Sequence, residues 1–339
     1  MSAAHPIIET GLDELSSTLS LSEIKDSKIL ISGGVGFLGS WLCDILLRKL
    51  GKVTCVDDFS TGLETNISHI SENKDFTLLK EDITKTNELD GKYQYILHLA
   101  SIASPDAYQV SPTQTLLSNS LGTLNLLEEA RKGDSTFLYA STSEIYGDPS
   151  VIPTPEDYWG YVNPIGIRSC YDEAKRFGEA LVMAYYRQYG LDIRIVRIFN
   201  TYGPRLRADG IYARAVSKFI SQVINDENLT VYGDGSQTRS FTYVTDTIDG
   251  ILRTLTSNLT KGEVLNLGNP QETNILELAK IIRKLAKSSS RITYGPLPLD
   301  DPKRRKPDIA KAKKLLGWEP KILLEEGLMN TISWYRNNL

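Results

Sequence analysis

The sequence predicts an α/β fold, a doubly wound parallel (Rossmann) sheet with a smaller mixed α/β lobe towards the C-terminus. Short apolar strands alternate with helical segments as far as residue 200, which is typical of a parallel sheet covered by helices. The glycines Gly33, Gly36 and Gly39 directly follow the first strand and begin a helix. Beyond Asn200 the elements become shorter and are separated by turns rich in glycine and proline.

The predicted elements divide the chain into three parts. Strands are expected at 28–32, 53–57, 76–80, 95–99, 136–140 and 193–199, and helices at 37–50, 112–131 and 169–189. Residues 1–27 are predicted to form a polar leader, 28–200 the nucleotide-binding domain and 201–339 the substrate lobe. The apolar run 264–268 is expected to return to the main sheet, so the two larger parts are interleaved. Ligands of such a sheet bind at the carboxyl ends of its strands.

Composition excludes several classes of function. The 339 residues carry a formal net charge of −4, which argues against a generally basic surface for nucleic acid. The three cysteines and three histidines lack the spacing of a metal site, so no metal is expected. No apolar run is long enough to span a membrane, and residues 1–27 do not resemble a signal peptide. We therefore expect a cytoplasmic protein with reduced thiols that does not bind membranes.

The glycine segment predicts a dinucleotide site. Gly33, Gly36 and Gly39 let backbone N–H groups approach a pyrophosphate at the start of a helix. Asp57 ends the second strand, where a carboxylate would bind the ribose hydroxyls and repel a 2′-phosphate, which favours NAD over NADP. Asp82 follows the third strand and either reaches the adenine or acts as a local cap. The other residues predicted to bind the cofactor are Phe37, Leu38, Asp58, Ser60, Thr61, Gly62, Ile83, Leu99, Ala100 and Ser101.

A tyrosine and a lysine predict acid/base chemistry on an alcohol. Tyr171 and Lys175 are four residues apart on a predicted helix, so they share a face. A neighbouring ammonium is expected to lower the pKa of the phenol, which then accepts a hydroxyl proton. Both residues are also expected to bind the cofactor, with Lys175 at the nicotinamide ribose. Thr142, at the end of the preceding strand, either shares the reacting hydroxyl or is a turn cap, and the same alternative applies to Ser143.

These segments resemble the extended short-chain dehydrogenase/reductase family of nucleotide-sugar enzymes (NAD-dependent epimerase/dehydratase) over nearly the whole chain from Lys28 onwards. Within that family, residues 158–176, 199–205, 233–241 and 300–308 are similar to the members that decarboxylate UDP-glucuronate. The resemblance implies that UDP-glucuronate is converted to UDP-xylose through a 4-keto intermediate. The keto group accepts electrons as carbon dioxide leaves, and NAD is recycled.

The resemblance also implies roles for individual residues. Tyr171, assisted by Lys175 and Thr142, would be the acid/base for the hydroxyl on carbon 4. Ser143 and Glu144 would lie near the carboxylate of the sugar, and Arg305 would meet that carboxylate or assist protonation. The alternative for Arg305 is a solvated surface charge. The implied substrate-binding residues are Tyr108, Asn200, Arg205, Arg214, Tyr232, Arg239 and Arg305. A homodimer is also implied, with 112–131 and 171–189 as candidate interface segments.

Three alternatives stay open. A nucleotide-sugar 4,6-dehydratase has an aspartate where this chain has Ser143, and a UDP-glucose 4-epimerase would leave Glu144 without a role, unless Glu144 is a helix cap or ion-pair partner. An NAD-sensing protein that had lost catalysis would be expected to lack Tyr171 or Lys175. Two segments depart from the decarboxylase pattern: Leu117 replaces a usual lysine, and the segment 205–214 is slightly longer.

Overall fold

The computed structural model of the protein describes residues 5–86, 89 and 92–338. The strands are β1 Lys28–Ser32, β2 Lys52–Val56, β3 Phe76–Leu79, β4 Tyr95–His98, β5 Thr136–Thr142, β6 Ile193–Ile198, β7 Thr201–Tyr202, β8 Leu229–Tyr232, β9 Thr238–Ser240, β10 Thr242–Tyr243, β11 Val264–Leu267, β12 Glu272–Asn274, β13 Ile292–Gly295 and β14 Arg304–Arg305. The helices are α1 Pro6–Thr18, α2 Phe37–Arg48, α3 Pro105–Val110, α4 Pro112–Asn119, α5 Leu121–Gly133, α6 Ser169–Tyr189, α7 Ala215–Ile224, α8 Val244–Thr256, α9 Ile275–Ala286, α10 Ala310–Leu316 and α11 Leu324–Arg336.

The central sheet is parallel and doubly wound, which confirms the predicted fold class. In the described residues it has seven strands in the order β11-β6-β5-β4-β1-β2-β3. Its inner strands are buried on both faces, with Leu30, Ile96 and Leu138 fully inaccessible to solvent. Helices on both faces account for that burial and for the continuous apolar runs in the sequence. The chain order reverses between β1 and β4, the position at which such sheets bind ligands.

Strand β11 adds an edge to this sheet from late in the sequence. It pairs in parallel with β6, with Val264 opposite Ile195 and Leu267 opposite Ile198. The chain between β6 and β11 forms much of the substrate lobe, which also contains the small sheets β10-β7, β12-β9-β14 and β13-β8. This part of the lobe is therefore anchored at both ends in the central sheet.

The N-terminal segment packs against the rest of the protein. In α1 the side chains of Ile8, Leu12 and Leu15 are buried. Polar residues of α1, Glu9 and Asp13, form ion pairs with Arg48 at the end of α2. The part of the predicted leader that the structure describes is thus a docked amphipathic helix.

The helix predicted at 112–131 is divided into α4 and α5 at Ser120. The hydroxyls of Ser118 and Ser120 donate to the carbonyls of Gln114 and Leu116, at 2.9 and 2.7 Å. Such bonds compete with the helical pattern and favour a break. In the part of the chain that the structure describes, no helix combines the length and apolarity that crossing a membrane requires.

Candidate active site

A large cavity of about 630 Å³ opens at the carboxyl ends of the central strands, facing the substrate lobe. It is lined by all the residues predicted for catalysis and for substrate binding. All the residues predicted to bind the cofactor line it as well, except Gly62. A Cβ atom at Gly62 would lie 3.0 Å from Val35, so this glycine lets its loop pack against the back of the glycine segment. The fold therefore brings the separate sequence motifs to one site.

The turn after β1 requires glycine at two positions. Gly33 has a φ of +75°, and a Cβ atom there would lie 2.7 Å from the backbone nitrogen of Ala100. A Cβ atom at Gly39 would lie 2.1 Å from the carbonyl oxygen of Gly33. The chain can therefore turn tightly into α2 and leave the N-terminus of that helix open to the cavity. This arrangement fits a pyrophosphate group.

Asp57 links the end of β2 to the glycine turn. Its carboxylate accepts hydrogen bonds from the N–H groups of Val35 and Phe59, at 3.0 and 2.9 Å. Burial raises the pKa of this carboxyl group, while the two hydrogen bonds oppose the shift. The side chain is only 7% exposed but lines the cavity. It both holds the loop and presents an acceptor where the predicted ribose would lie.

Asp82 makes local hydrogen bonds beside the cavity. Burial disfavours its charge, but the N–H and hydroxyl of Thr84 donate to Oδ1 at 2.9 and 2.7 Å and lower the net pKa. Both predicted alternatives describe part of this arrangement, since the residue caps a turn and also lines the cavity. Asp58 accepts from the N–H of Ser60 at 2.9 Å in the neighbouring loop.

Tyr171 and Lys175 lie on the predicted face of α6, but their electrostatics differ from the prediction. The Lys175 ammonium donates to the carbonyl of Ala140 at 2.8 Å, and burial lowers its pKa to about 7. Burial raises the pKa of the Tyr171 phenol, and the opposing influences are the Arg214 charge and a hydrogen bond with Thr142. The prediction that Lys175 lowers this pKa is therefore wrong for this structure, because burial dominates and weakens the lysine charge.

Thr142, Ser143 and Glu144 form a tight turn at the end of β5. The Thr142 hydroxyl accepts from the N–H of Glu144 at 3.2 Å and also faces the Tyr171 phenol. The ring of Tyr108 stacks on that of Tyr171, with centroids 5.2 Å apart and planes within 3°. The end of β5 thus places a hydroxyl and a carboxylate beside the phenol of α6, at one end of the cavity.

Beside them lies an arginine cluster, which we define as Arg168, Arg239 and Arg305 with the acids Glu144 and Asp301. Glu144 forms ion pairs with Arg168 through one oxygen and with Arg305 through the other. Asp301 pairs with Arg239 at 2.9 Å and lies 3.9 Å from Arg168. Arg305 is 3% exposed, so it is not a solvated surface charge. Glu144 acts as an ion-pair partner, which was one of its predicted alternatives.

The other predicted substrate residues also line the cavity. The Arg214 guanidinium donates to the carbonyl of Ala103 at 3.0 Å, and burial lowers its pKa. Tyr232 accepts from Lys218 at 2.6 Å. Arg205 differs from the prediction that it meets a pyrophosphate, because its guanidinium pairs with Asp44 of α2 at 2.8 Å. Asn200 lines the cavity, and its backbone carbonyl accepts from Thr242 at 2.9 Å.

The model of the NAD dependent epimerase/dehydratase family matches residues 29–268. The chain belongs to this family. A UDP-glucuronic acid decarboxylase 1 from Danio rerio is 48% identical over 319 residues, which cover 94% of this chain and 75% of the relative.

Two solved structures extend the family comparison to the fold. The UDP-glucose 4-epimerase of Thermotoga maritima, solved with UDP-glucose, superposes with a TM-score of 0.85 at 31% identity, over 92% of this chain and 99% of that one. The UDP-glucuronic acid 4-epimerase of Bacillus cereus, solved with UDP-glucuronic acid and NAD, gives 0.84 at 31% identity, over 92% and 100%. In this family NAD is the cofactor, and the glycine turn and Asp57 fit it.

Sequence reasoning missed two members of the arginine cluster. Arg168 precedes Tyr171 by three residues and lies inside the segment 158–176, so its position in that motif was an available signal. Asp301 lies four residues before Arg305, in a segment where the sequence offers no periodic pattern. Leu117, in place of the family's usual lysine, is 39% exposed on α4 and is not among the residues that line the cavity.

Proposed function

We propose that this protein decarboxylates UDP-glucuronate to UDP-xylose, with NAD as a recycled cofactor. The sequence similarity to a UDP-glucuronic acid decarboxylase across 94% of the chain supports this activity. The cavity supports it independently, because its catalytic end offers a place for a carboxylate beside an acid/base tyrosine.

The observation that carries the proposal is the incomplete hydrogen bonding of the Arg305 guanidinium. Its Nη1 atom donates a hydrogen bond to Glu144, whereas Nε and Nη2 are buried and have no hydrogen-bond partner among the described residues. These two nitrogens form one side of the guanidinium, the fork that binds a carboxylate through two parallel hydrogen bonds. Burial lowers the pKa of Arg305 to about 9, so the group is still charged at neutral pH. Unpaired buried donors at a cavity wall favour an anionic ligand.

The chain supplies the remaining chemistry. Bound NAD serves as the acceptor of a hydride from carbon 4 of the sugar and returns it later. Tyr171 takes the proton of the carbon 4 hydroxyl, and Thr142 holds the same oxygen through its hydroxyl. The resulting ketone is β to the carboxylate and accepts the electron pair as carbon dioxide leaves. Arg305 stabilises the developing negative charge, and a proton from solvent is then added to carbon 5. Tyr171 returns its proton to the carbon 4 oxygen when the hydride returns to carbon 4.

The nucleotide end of the cavity is assigned to the lobe. Arg239 is buried and Arg214 is half-buried, and both cations face the cavity, which suits a pyrophosphate. Tyr232, held by Lys218, offers a ring and a hydroxyl beside them for uridine. Asn200 adds an amide for a phosphate or sugar oxygen. Arg205 contributes through the loop that it fixes, since its own charge is paired with Asp44.

Incubation of the purified protein with UDP-glucuronate and NAD tests the activity. We expect UDP-xylose and carbon dioxide in equal amounts with no accumulation of NADH. Deuterium placed on carbon 4 of the substrate should reappear on carbon 4 of the product. If the products retain the carboxylate and only carbon 4 is inverted, the protein is instead a UDP-glucuronate 4-epimerase, the activity named for the Bacillus cereus neighbour.

We also propose a homodimer formed through α4, α5 and α6. These helices expose Leu116, Leu117, Leu121, Leu124 and Phe177 by 37–51% each. On α6, Ala180 and Ala184 continue the row of Phe177 at helical spacing. An exposed apolar face of this kind is typical of a protein interface. Light scattering should give twice the chain mass for the parent protein and the chain mass for Phe177→Glu, with Arg187→Glu on the same helix as the control.

A further inference from the structure

The segment 205–214, which we call the strap, is anchored to three parts of the nucleotide-binding domain. It belongs to the substrate lobe and begins three residues after β7. At its start, the Arg205 guanidinium pairs with Asp44 of α2 at 2.8 Å and stacks near Trp41, 5.7 Å from the ring centroid. This end of the strap is buried, since Arg205 is 4% exposed.

The middle of the strap is attached to the loop after β2. The Arg207 guanidinium donates to the carbonyl of Thr61 at 3.1 Å, and the Tyr212 hydroxyl donates to the carbonyl of Ser60 at 3.4 Å. Arg207 also lies over the ring of Tyr212, 3.6 Å from its centroid, and donates to Asp209 at 2.8 Å. These contacts make the middle of the strap a compact unit held against the cofactor loop.

The end of the strap is attached to the loop after β4. The Ser104 hydroxyl donates to the carbonyl of Ile211 at 2.7 Å, and Arg214 donates to the carbonyl of Ala103 at 3.0 Å. Tyr212 also packs against the cluster that contains Tyr108 and Tyr171. The strap is therefore tied to both sides of the cavity and lines it with six of its residues, Arg205, Leu206, Arg207, Tyr212, Ala213 and Arg214.

The topology of the sheet shows what the strap crosses. Helix α2 follows β1, and the two anchoring loops follow β2 and β4. In the sheet, β1 lies between β4 and β2. A segment fixed to the elements after all three strands must span the crevice above β1, where the glycine turn lies. A dinucleotide bound on that turn would lie beneath the strap.

We propose that the strap is a gate that retains the dinucleotide, with Arg207 and Tyr212 as the positioning residues that keep it closed. The gate must open both for entry and for exit of the cofactor. A reaction that returns its hydride needs no cofactor release in each cycle, so a closed strap is compatible with turnover. The inference concerns the cofactor alone and does not depend on which sugar nucleotide is the substrate.

The test is the exchange of the cofactor in the absence of any sugar nucleotide. NADH fluorescence gives its dissociation rate during a chase with excess NAD, and competition gives its dissociation constant. For Arg207→Ala we expect dissociation about tenfold faster, with a dissociation constant within about threefold of the parent value, because a gate affects entry and exit alike. Arg187→Ala, an exposed arginine on α6, should exchange like the parent.

Two further variants separate a gate from a direct contact and from unfolding. Tyr212→Ala removes the ring beneath Arg207 and should match Arg207→Ala, whereas Tyr212→Phe keeps the ring and should stay within about twofold of the parent rate. Circular dichroism of each variant checks that it is folded. An unchanged dissociation rate in Arg207→Ala and Tyr212→Ala would overturn the proposal. So would a dissociation constant that rises in step with the rate, because that result indicates a direct contact with the cofactor.

Discussion

The two ends of the cavity bind charge in different ways. At the cofactor end, the Asp57 carboxylate is satisfied by the backbone N–H groups of Val35 and Phe59, and the tight turn depends on Gly33. At the sugar end, the carboxylate of Glu144 is instead satisfied by the side chains of Arg168 and Arg305, from distant parts of the chain. A backbone site is fixed by the strand and turn that carry it. In a site built from side chains, a single substitution can change which ligand binds. This difference explains how one fold can serve several sugar chemistries.

The largest expected effect is at Tyr171, where the two ends meet. Tyr171→Phe removes the group that takes the hydroxyl proton, so kcat should fall by about 10²- to 10⁴-fold. Binding of NAD and of UDP-glucuronate should be nearly unchanged, because neither end of the cavity loses its own contacts. Turnover assays and calorimetric titrations measure the two quantities, with exposed Tyr189→Phe as the control. A variant that retains parental turnover contradicts the assigned role.

Arg305→Lys should impair the sugar end of the cavity and leave the cofactor end intact. Lysine keeps the charge but not the fork of Nε and Nη2, so kcat/KM for UDP-glucuronate should fall by about 10²-fold. The affinity for UDP-xylose, which has no carboxylate, should not change. The neighbouring Arg304→Lys is the matched control, since that side chain is 53% exposed and pairs with Glu272. If binding of UDP-xylose weakens as much as the reaction of UDP-glucuronate, Arg305 supports the fold and does not recognise the carboxylate.

Asp57→Ala should impair the cofactor end of the cavity and leave the sugar end intact. The buried N–H group of Val35 and the part-buried N–H group of Phe59 lose their acceptor, so the free energy of unfolding should fall by about 1–3 kcal/mol and NAD affinity by about tenfold. Chemical denaturation and NAD titration give these values. Affinity for a sugar nucleotide should be retained, which separates this variant from Arg305→Lys. Glu72→Ala, at an exposed acid that does not line the cavity, should show neither loss.

The smallest expected effect is a pH dependence at Asp172, next to the arginine cluster. Burial raises its pKa from 3.8 to about 7, and its Oδ1 atom has no hydrogen-bond partner among the described residues. Between pH of about 4 and 7 the folded state holds a proton that the unfolded chain has lost, so stability falls as pH rises and the loss is complete above pH 7.

Asp172→Asn removes this titration. The variant should match the parent protein at pH 4 and exceed its free energy of unfolding at pH 8 by on the order of 2 kcal/mol. Denaturation curves across this pH range provide the measurement. Lys175, whose pKa burial lowers to about 7, adds a rise in stability above pH 7 to both proteins and cancels in their difference. Parallel curves for the two proteins would show that Asp172 does not titrate in this window.

The sequence predicted the cofactor end of the cavity better than the sugar end. The reason is that the cofactor end is built from backbone groups close in sequence, whereas the sugar end is built from side chains that are distant in sequence. The glycine turn and Asp57 follow from local chain geometry, and a strand–turn–helix pattern fixes both. The pairing of Arg205 with Asp44 and the position of Asp301 depend on long-range packing that no local pattern records. The predicted direction of the Tyr171 pKa shift was wrong, because helical spacing shows which groups are neighbours but not how deeply they are buried.

The late position of β11 has a consequence for synthesis of the protein. Translation releases β6, which ends at Ile198, well before the ribosome reaches Val264. Until then a nascent chain presents an unpaired, apolar strand edge, the kind of surface that recruits other chains. Premature termination inside the lobe would leave that edge permanently open, so quality control of this enzyme depends on completing a segment far from its glycine turn.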